Sequence, residues 1–506
     1  MRLVSLRTRQ DTGAGATDGR AKAIRWIALS AVCVVVAGVA ATAATARTSV
    51  ITATTGSTAP LATAIYDPIY QTSQRNTAFS LSSQAGATYA RIDVSWRAVA
   101  PVNQPSSWNP SDPNSPYYRW SSLDSTVASA KAHGIKPILD IVSPPSWAYS
   151  IAPGKWTGGQ PDITALGKFA TALALHFYGS VHAYSVWNEP NFNRNLSPQD
   201  PTYYRSMVNA VADSVHAVDP TALALAGELA PFKHAKSKHD PNNVIAPITW
   251  MQQMLCISST KPYHLTCPAG SSHFDVWTHH PYSDTGPFGH AKVSGGVELG
   301  DLPKMNSLLQ AAWQLGAMQS SNDSPSQPFP FWVTEIGWSS NPPNKHGVPI
   351  SLETRWVAES FYQVWKSGAT LGTWFLLQDE PSSTPFQSGL YSLSNTLSSA
   401  DAKPLLQPFA FPFVAYLKSH GKVAVWGRDT TSDMQDVTID MKVGKKWKTV
   451  AIVKSNSYGI FEATLGVHAQ LSYSMRASAP GSGTSATFAL KKPSNENMNV
   501  VPFPLN

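Results

Sequence analysis

A closed (β/α)8 barrel followed by a small antiparallel β-sandwich is the architecture this sequence predicts, and three observations predict it. Between residues 62 and 400, eight short β-rich runs alternate with helical stretches. That span, about 340 residues, fits an eight-stranded parallel barrel with insertions. After residue 403 the texture changes to brief alternating segments parted by Gly, Asp, Asn and Ser. The 506 residues are 42% apolar and 14% charged, which excludes disorder as the dominant state.

Taken in order, the first segment reads as a targeting signal. Arg2, Arg7, Arg9, Arg20, Lys22 and Arg25 precede an apolar run that starts at Trp26, and Ala44-Thr45-Ala46 gives an A-x-A pattern. Residues 1–46 are therefore expected to be a secretory signal or, alternatively, an uncleaved membrane anchor; in both cases the body is exported. No later stretch is a membrane candidate. Residues 47–61, rich in Thr, Ser, Ala and Pro, predict a linker. Barrel strands are expected at 63–66, 89–94, 136–142, 183–187, 222–226, 274–279, 331–334 and 370–376. Helices are expected at 122–133, 163–177, 201–218, 302–317 and 352–366. Long inserts at 101–120, 228–247 and 283–301 follow strands, the side of such a barrel on which function is built. Residues 401–490 make the sandwich, with strands at 423–426, 437–443, 447–453, 460–465, 470–477 and 486–490, and 491–506 a loosely ordered tail.

The formal charge is +7, but residues 1–46 hold six basic and two acidic residues, leaving +3 for the rest. So nearly neutral a body lacks the basic face that a phosphate backbone requires, and nucleic acid is excluded as a partner. Membrane contact is expected only through the N-terminal segment. Cys33 lies in the apolar run, so Cys256 and Cys267 are left as a pair. Outside the cell a disulfide between them is expected, worth about 3 kcal/mol in the chain-entropy view, with two free thiols the alternative.

Chemistry concentrates at the strand ends. The fourth strand runs Tyr184-Ser185-Val186-Trp187-Asn188-Glu189-Pro190, so Glu189 stands at its lip. The seventh runs Phe331 to Thr334 and continues Glu335-Ile336-Gly337-Trp338. Strands four and seven lie nearly opposite each other across a barrel mouth. Two carboxyl groups there can flank a glycosidic bond, one protonating the departing oxygen and the other meeting the oxocarbenium charge. Arg91 on the second strand can hold a carboxylate ionised. Tyr282 can donate to the nucleophile and His280 can touch a sugar hydroxyl. Trp374 offers an indole floor, and Trp96, Trp147 and Trp338 also sit at or beyond strand ends. The chemistry requires neither cofactor nor metal. A metal-dependent hydrolase built on His279, His280, Asp93 and Asp140 is the competing enzyme reading, and a non-catalytic carbohydrate-binding surface protein the competing class.

WNEP at 187–190, TEIGW at 334–338, HPY at 280–282 and Arg91 together resemble the retaining glycoside hydrolases of clan A, with textures closest to families 5 and 39. The resemblance covers residues 62–400, and the small sandwich suits family 39. It implies Glu189 as acid/base, Glu335 as nucleophile and Asn188 as a ligand of the sugar 2-hydroxyl. Arg91, His280, Tyr282 and Trp374 would stand in support, with a poly- or oligosaccharide as substrate. Glu228 departs from that pattern; it is expected to bind a substrate group or brace a loop.

Overall fold

The computed structural model describes residues 50–232, 242–321, 327–431 and 434–490. The expected leader at 1–46 and tail at 491–506 lie outside them. Eight parallel strands close into a barrel: β1 (Ala62–Tyr66), β2 (Tyr89–Ser95), β3 (Lys136–Val142), β4 (Ala183–Val186), β5 (Leu223–Leu229), β6 (Val276–His279), β7 (Phe331–Ile336) and β8 (Leu371–Phe375). Helices α1 (Arg75–Gln84), α2 (Ser121–Ala132), α3 (Ile163–His176), α4 (Pro201–Val218), α5 (Pro247–Met254), α6 (Leu302–Gln314) and α7 (Ile350–Lys366) connect them. The local chemistry fits each start. Asp162 caps α3 by accepting from Ala165 N, and Asp200 caps α4, whose first residue is Pro201. No helix among the described residues is long and apolar enough to cross a membrane.

Alternation along the strands divides the barrel interior into a dry floor and a polar upper half. Ala64, Ile138, Ala183, Leu225, Val276, Trp332 and Leu371, one from each of seven strands, pack together as the floor. Two residues further along several of the same strands come Tyr66, Asp140, Ser185, Thr278, Thr334 and Thr373. On β2, Tyr89 packs on the floor and Arg91 lies above it.

Two interruptions of this alternation place acids at the mouth. Between β5 and β6 the register shifts where Gly227 and Glu228 are inserted, and between β7 and β8 it shifts where Thr334 and Glu335 are. A bulge lets successive residues escape the two-residue alternation. Gly227 has φ 121°, and a Cβ there would lie 2.2 Å from the Thr278 carbonyl oxygen, so only glycine fits.

The C-terminal region forms two sheets. β9 (Phe413–Leu417), β10 (Val423–Arg428) and β13 (Ile460–Leu465) make one, and β11 (Asp436–Val443), β12 (Lys446–Lys454) and β14 (Ser474–Ala479) belong to the other. Two corrections arise here. The expected linker contains a strand, Ile51–Thr54, which pairs in parallel with β12; its Ile and Thr residues alternate half-buried and exposed, as an edge strand requires. The apolar run at β9 is also a strand, absent from the expected set. The sandwich packs on α7: Tyr416 donates to Glu359 at 3.1 Å, and the Arg355 guanidinium lies 3.9 Å from the Phe488 ring centre. Cys256 and Cys267 form the expected disulfide.

Candidate active site

Arg91 is the hub. Buried to 1% exposure, it donates from Nη1 to Glu335 Oε1 at 2.8 Å, and from Nη2 to Asp140 Oδ2 at 2.6 Å and Asn188 Oδ1 at 3.0 Å. Its Nε lies 3.6 Å from Glu228 Oε2. Burial works against its charge, and Asp140, Glu228, Glu335 and Asp93 more than restore it. The Tyr66 ring lies 5.1 Å from its guanidinium, and the Tyr66 hydroxyl donates to Asp93 at 2.9 Å.

Glu335 receives a second donor, the Tyr282 hydroxyl, at 2.8 Å from Oε2. Burial raises the Glu335 carboxyl, and His280 and Arg91 oppose the rise. Burial and the neighbouring Glu335 also raise Tyr282, which keeps its proton to donate. Burial pushes the Asp140 carboxyl up to about 8, and the Arg91 guanidinium opposes the rise.

Glu189 approaches from the opposite lip. Its backbone is left-handed at φ 45°, as is Trp187 at 71° and Glu228 at 48°. Non-glycine residues in that region are uncommon, and strain of this kind gathers at functional sites. Glu189 N donates to the Glu228 carbonyl at 2.9 Å. Asn191, fully buried, bonds both Ala230 and Ile245, tying the loop after β4 to the loop after β5. One oxygen of Glu189, one ring nitrogen of His280 and one oxygen of Glu335 all lie within 4.8 Å of one another. Both residues are 4% exposed.

Of the expected residues, then, Glu189, Glu335, Asn188, Arg91, His280 and Tyr282 converge. The tryptophans do not. Trp96, Trp338 and Trp374 are fully buried, stacked on Phe169, tilted against Trp356, and bonded through Nε1 to the Ser388 carbonyl, respectively. Trp374 faces the helix layer because its neighbours Thr373 and Phe375 take the inward positions of β8. Trp147 is half-buried and braces the 101–120 insert, donating to Pro101 O and meeting Trp108 edge-on. Glu228 and His280 have no exposure, so neither contacts substrate directly; His280 reaches the site through the ring nitrogen beside Glu189 and Glu335.

The aromatic surface beside the carboxylates belongs instead to Tyr66 and Phe375, stacked at 5.2 Å, with Phe386 packed against Phe375. Counting up from the floor residues Ala64 and Leu371, two residues along β1 and four along β8, would have found them. The four residues weighed as metal ligands do not gather. His279 bonds the Val297 carbonyl, Asp93 and Asp140 pair with Arg91, and only His280 faces the carboxyl pair. Glu189, His280 and Glu335 have a ligand-like composition, but Arg91 lies against Glu335 at 2.8 Å and already supplies positive charge there.

A family model described as cellulase, glycosyl hydrolase family 5, matches residues 46–357. Among solved structures, a family 39 glycoside hydrolase from the gut symbiont Bacteroides cellulosilyticus WH2 is similar at 16% identity and a TM-score of 0.50, over 80% of this chain and 81% of that one. A family 39 enzyme from Xanthomonas axonopodis pv. citri is similar at 15% identity and a TM-score of 0.50, over 82% and 94%. At such identities the likeness speaks for the fold alone. No curated protein matches the chain in sequence.

Proposed function

The chain belongs to glycosyl hydrolase family 5, a retaining family of clan A, and from that premise we propose that Glu335 is the nucleophile and Glu189 the acid/base of a double displacement. Glu335 attacks the anomeric carbon while Glu189 passes its proton to the departing oxygen. Water, giving a proton back to Glu189, then releases the sugar with its configuration retained. The observation that carries this reading is that one oxygen of Glu189 and one of Glu335 lie within 4.8 Å of each other. Retention requires groups about 5–5.5 Å apart, whereas inversion needs about 6.5–9.5 Å to admit water. Arg91 and Tyr282 support the assignment of the nucleophile, since both donate to Glu335. Asn188, fixed by Arg91 beside Glu189, suits a sugar 2-hydroxyl.

Poly- or oligosaccharide is the proposed substrate class, and the cellulase description makes β-glucans the first to try. Export is part of the proposal, supported by the leader pattern at 1–46 and by a disulfide of the kind that persists in oxidising compartments. The test is a panel of aryl glycosides and polysaccharides, with the first-formed anomer read by NMR. Release of product with the substrate's own configuration is expected. First-formed product of inverted configuration would overturn the mechanism.

A further inference from the structure

Glu228 is a buried acid for which the double displacement has no task. It sits on the β5 bulge with its backbone left-handed. Ser185 donates to its Oε1 at 2.7 Å; Thr334 and His280 Nε2 meet its Oε2 at 2.7 Å each. A carboxylate only accepts, so His280 carries a proton on Nε2. The other ring nitrogen, Nδ1, then faces Glu189 Oε1 at 3.3 Å and Glu335 Oε2 at 3.7 Å.

We propose that Glu228 is a positioning residue that keeps His280 doubly protonated, so that the ring presents an Nδ1–H shared by the acid/base and the nucleophile. This rests on the roles assigned above to Glu189 and Glu335. A neutral ring would turn a lone pair toward two carboxyl groups and suit them only while one held a proton. An imidazolium suits an ionised carboxylate on either side. Before attack the negative charge is on Glu335. When Glu335 forms its ester and Glu189 has given its proton to the departing oxygen, the charge is on Glu189. The ring loses no proton in either step; it stays in place as the charge crosses from one lip to the other.

The surroundings agree. Burial works against a charge on the ring, but Glu335, Glu189 and Glu228 raise it to about 10. Asp140 and Arg91 stand behind those acids. Its neighbour His279 is lowered by burial to about 3 and brings no competing charge. Burial opposes ionisation of Glu228, yet Arg91, His280 and Thr334 bring it down to about 2.

Nitrogen NMR on the full chain labelled at histidine tests this, with His280 assigned by its absence from His280→Asn. Both ring nitrogens of the parent should stay protonated from about pH 5 to 9. In Glu228→Gln the ring should give up a proton at a lower pH than in the parent, and kcat/KM should gain a falling limb there that the parent lacks. A ring neutral at pH 7 in the parent overturns the proposal, and so does a Glu228→Gln pH profile parallel to the parent's. If Glu228→Gln does not fold, the parent titration decides alone. Because the NMR readout needs no turnover, an inactive chain would count against the glycosidase reading while the protonation of the ring is still read separately.

Discussion

Two adjacent histidines show how far single residues here depart from their ordinary chemistry. His280 turns into the site and is raised, whereas His279 points to the opposite face, where its Nε2 meets the Val297 carbonyl at 2.9 Å and fixes the 283–301 insert. Burial holds His279 neutral, at about 3 against ~6.5 unfolded. Between those values the unfolded chain binds the extra proton. The stability due to this residue is therefore full above about pH 6.5 and is lost as pH falls toward 3. We predict that His279→Gln flattens the decline in urea midpoint between about pH 6.5 and 4.5, removing a slope of up to about 1.4 kcal/mol per pH unit. An unchanged slope would show that the neutral ring is not what acid attacks. Glu189 and Glu335 were legible in the sequence because both follow apolar strands, on the fourth and the seventh, in Trp, Asn and Gly contexts, and Arg91 because it is a charge set inside an apolar strand. Glu228 was visible as an acid, but its burial was not, since the groups that saturate it come from three other strands.

Strands explain the errors as well as the successes. The alternation that marks a barrel strand assigns every second residue to the interior, but it does not by itself say which half of the residues that is. Trp374 is the larger aromatic at the end of β8, yet the floor residue Leu371 sets the parity, and Phe375 faces the site. Trp374→Ala should therefore cost about 3–5 kcal/mol of stability, read from denaturant midpoints, with KM little changed. Phe375→Ala should lower kcat/KM about tenfold or more, because it removes apolar surface beside the reacting sugar. The reverse pattern would restore the indole as the sugar floor. Bulges in β5 and β7 escaped sequence reading altogether: Gly227 is their one local sign, and even it does not say that the next side chain turns inward.

At the scale of the whole molecule, the alternation of strand and helix revealed the barrel, and the change of texture after residue 403 revealed the sandwich. What the sequence hid was the tie between its ends. Ile51–Thr54 looked like linker because four residues of Thr, Ala and Ile are short for a strand, and their partner, β12, lies some four hundred residues away. The sandwich packs on α7 through Tyr416, Arg355 and Phe488. The barrel delivers β4 and β7 to opposite lips, bringing one oxygen each of Glu189 and Glu335 within 4.8 Å of each other, and the proposed mechanism rests on that approach. The most direct test is to incubate the full chain with an activated 2-deoxy-2-fluoro glycoside of the sugar it hydrolyses, then digest and map the trapped ester by mass spectrometry. An ester on Glu335, formed in the parent and absent from Glu335→Gln, is the predicted result. An ester on Glu189, Glu228 or another residue would contradict the account at its centre.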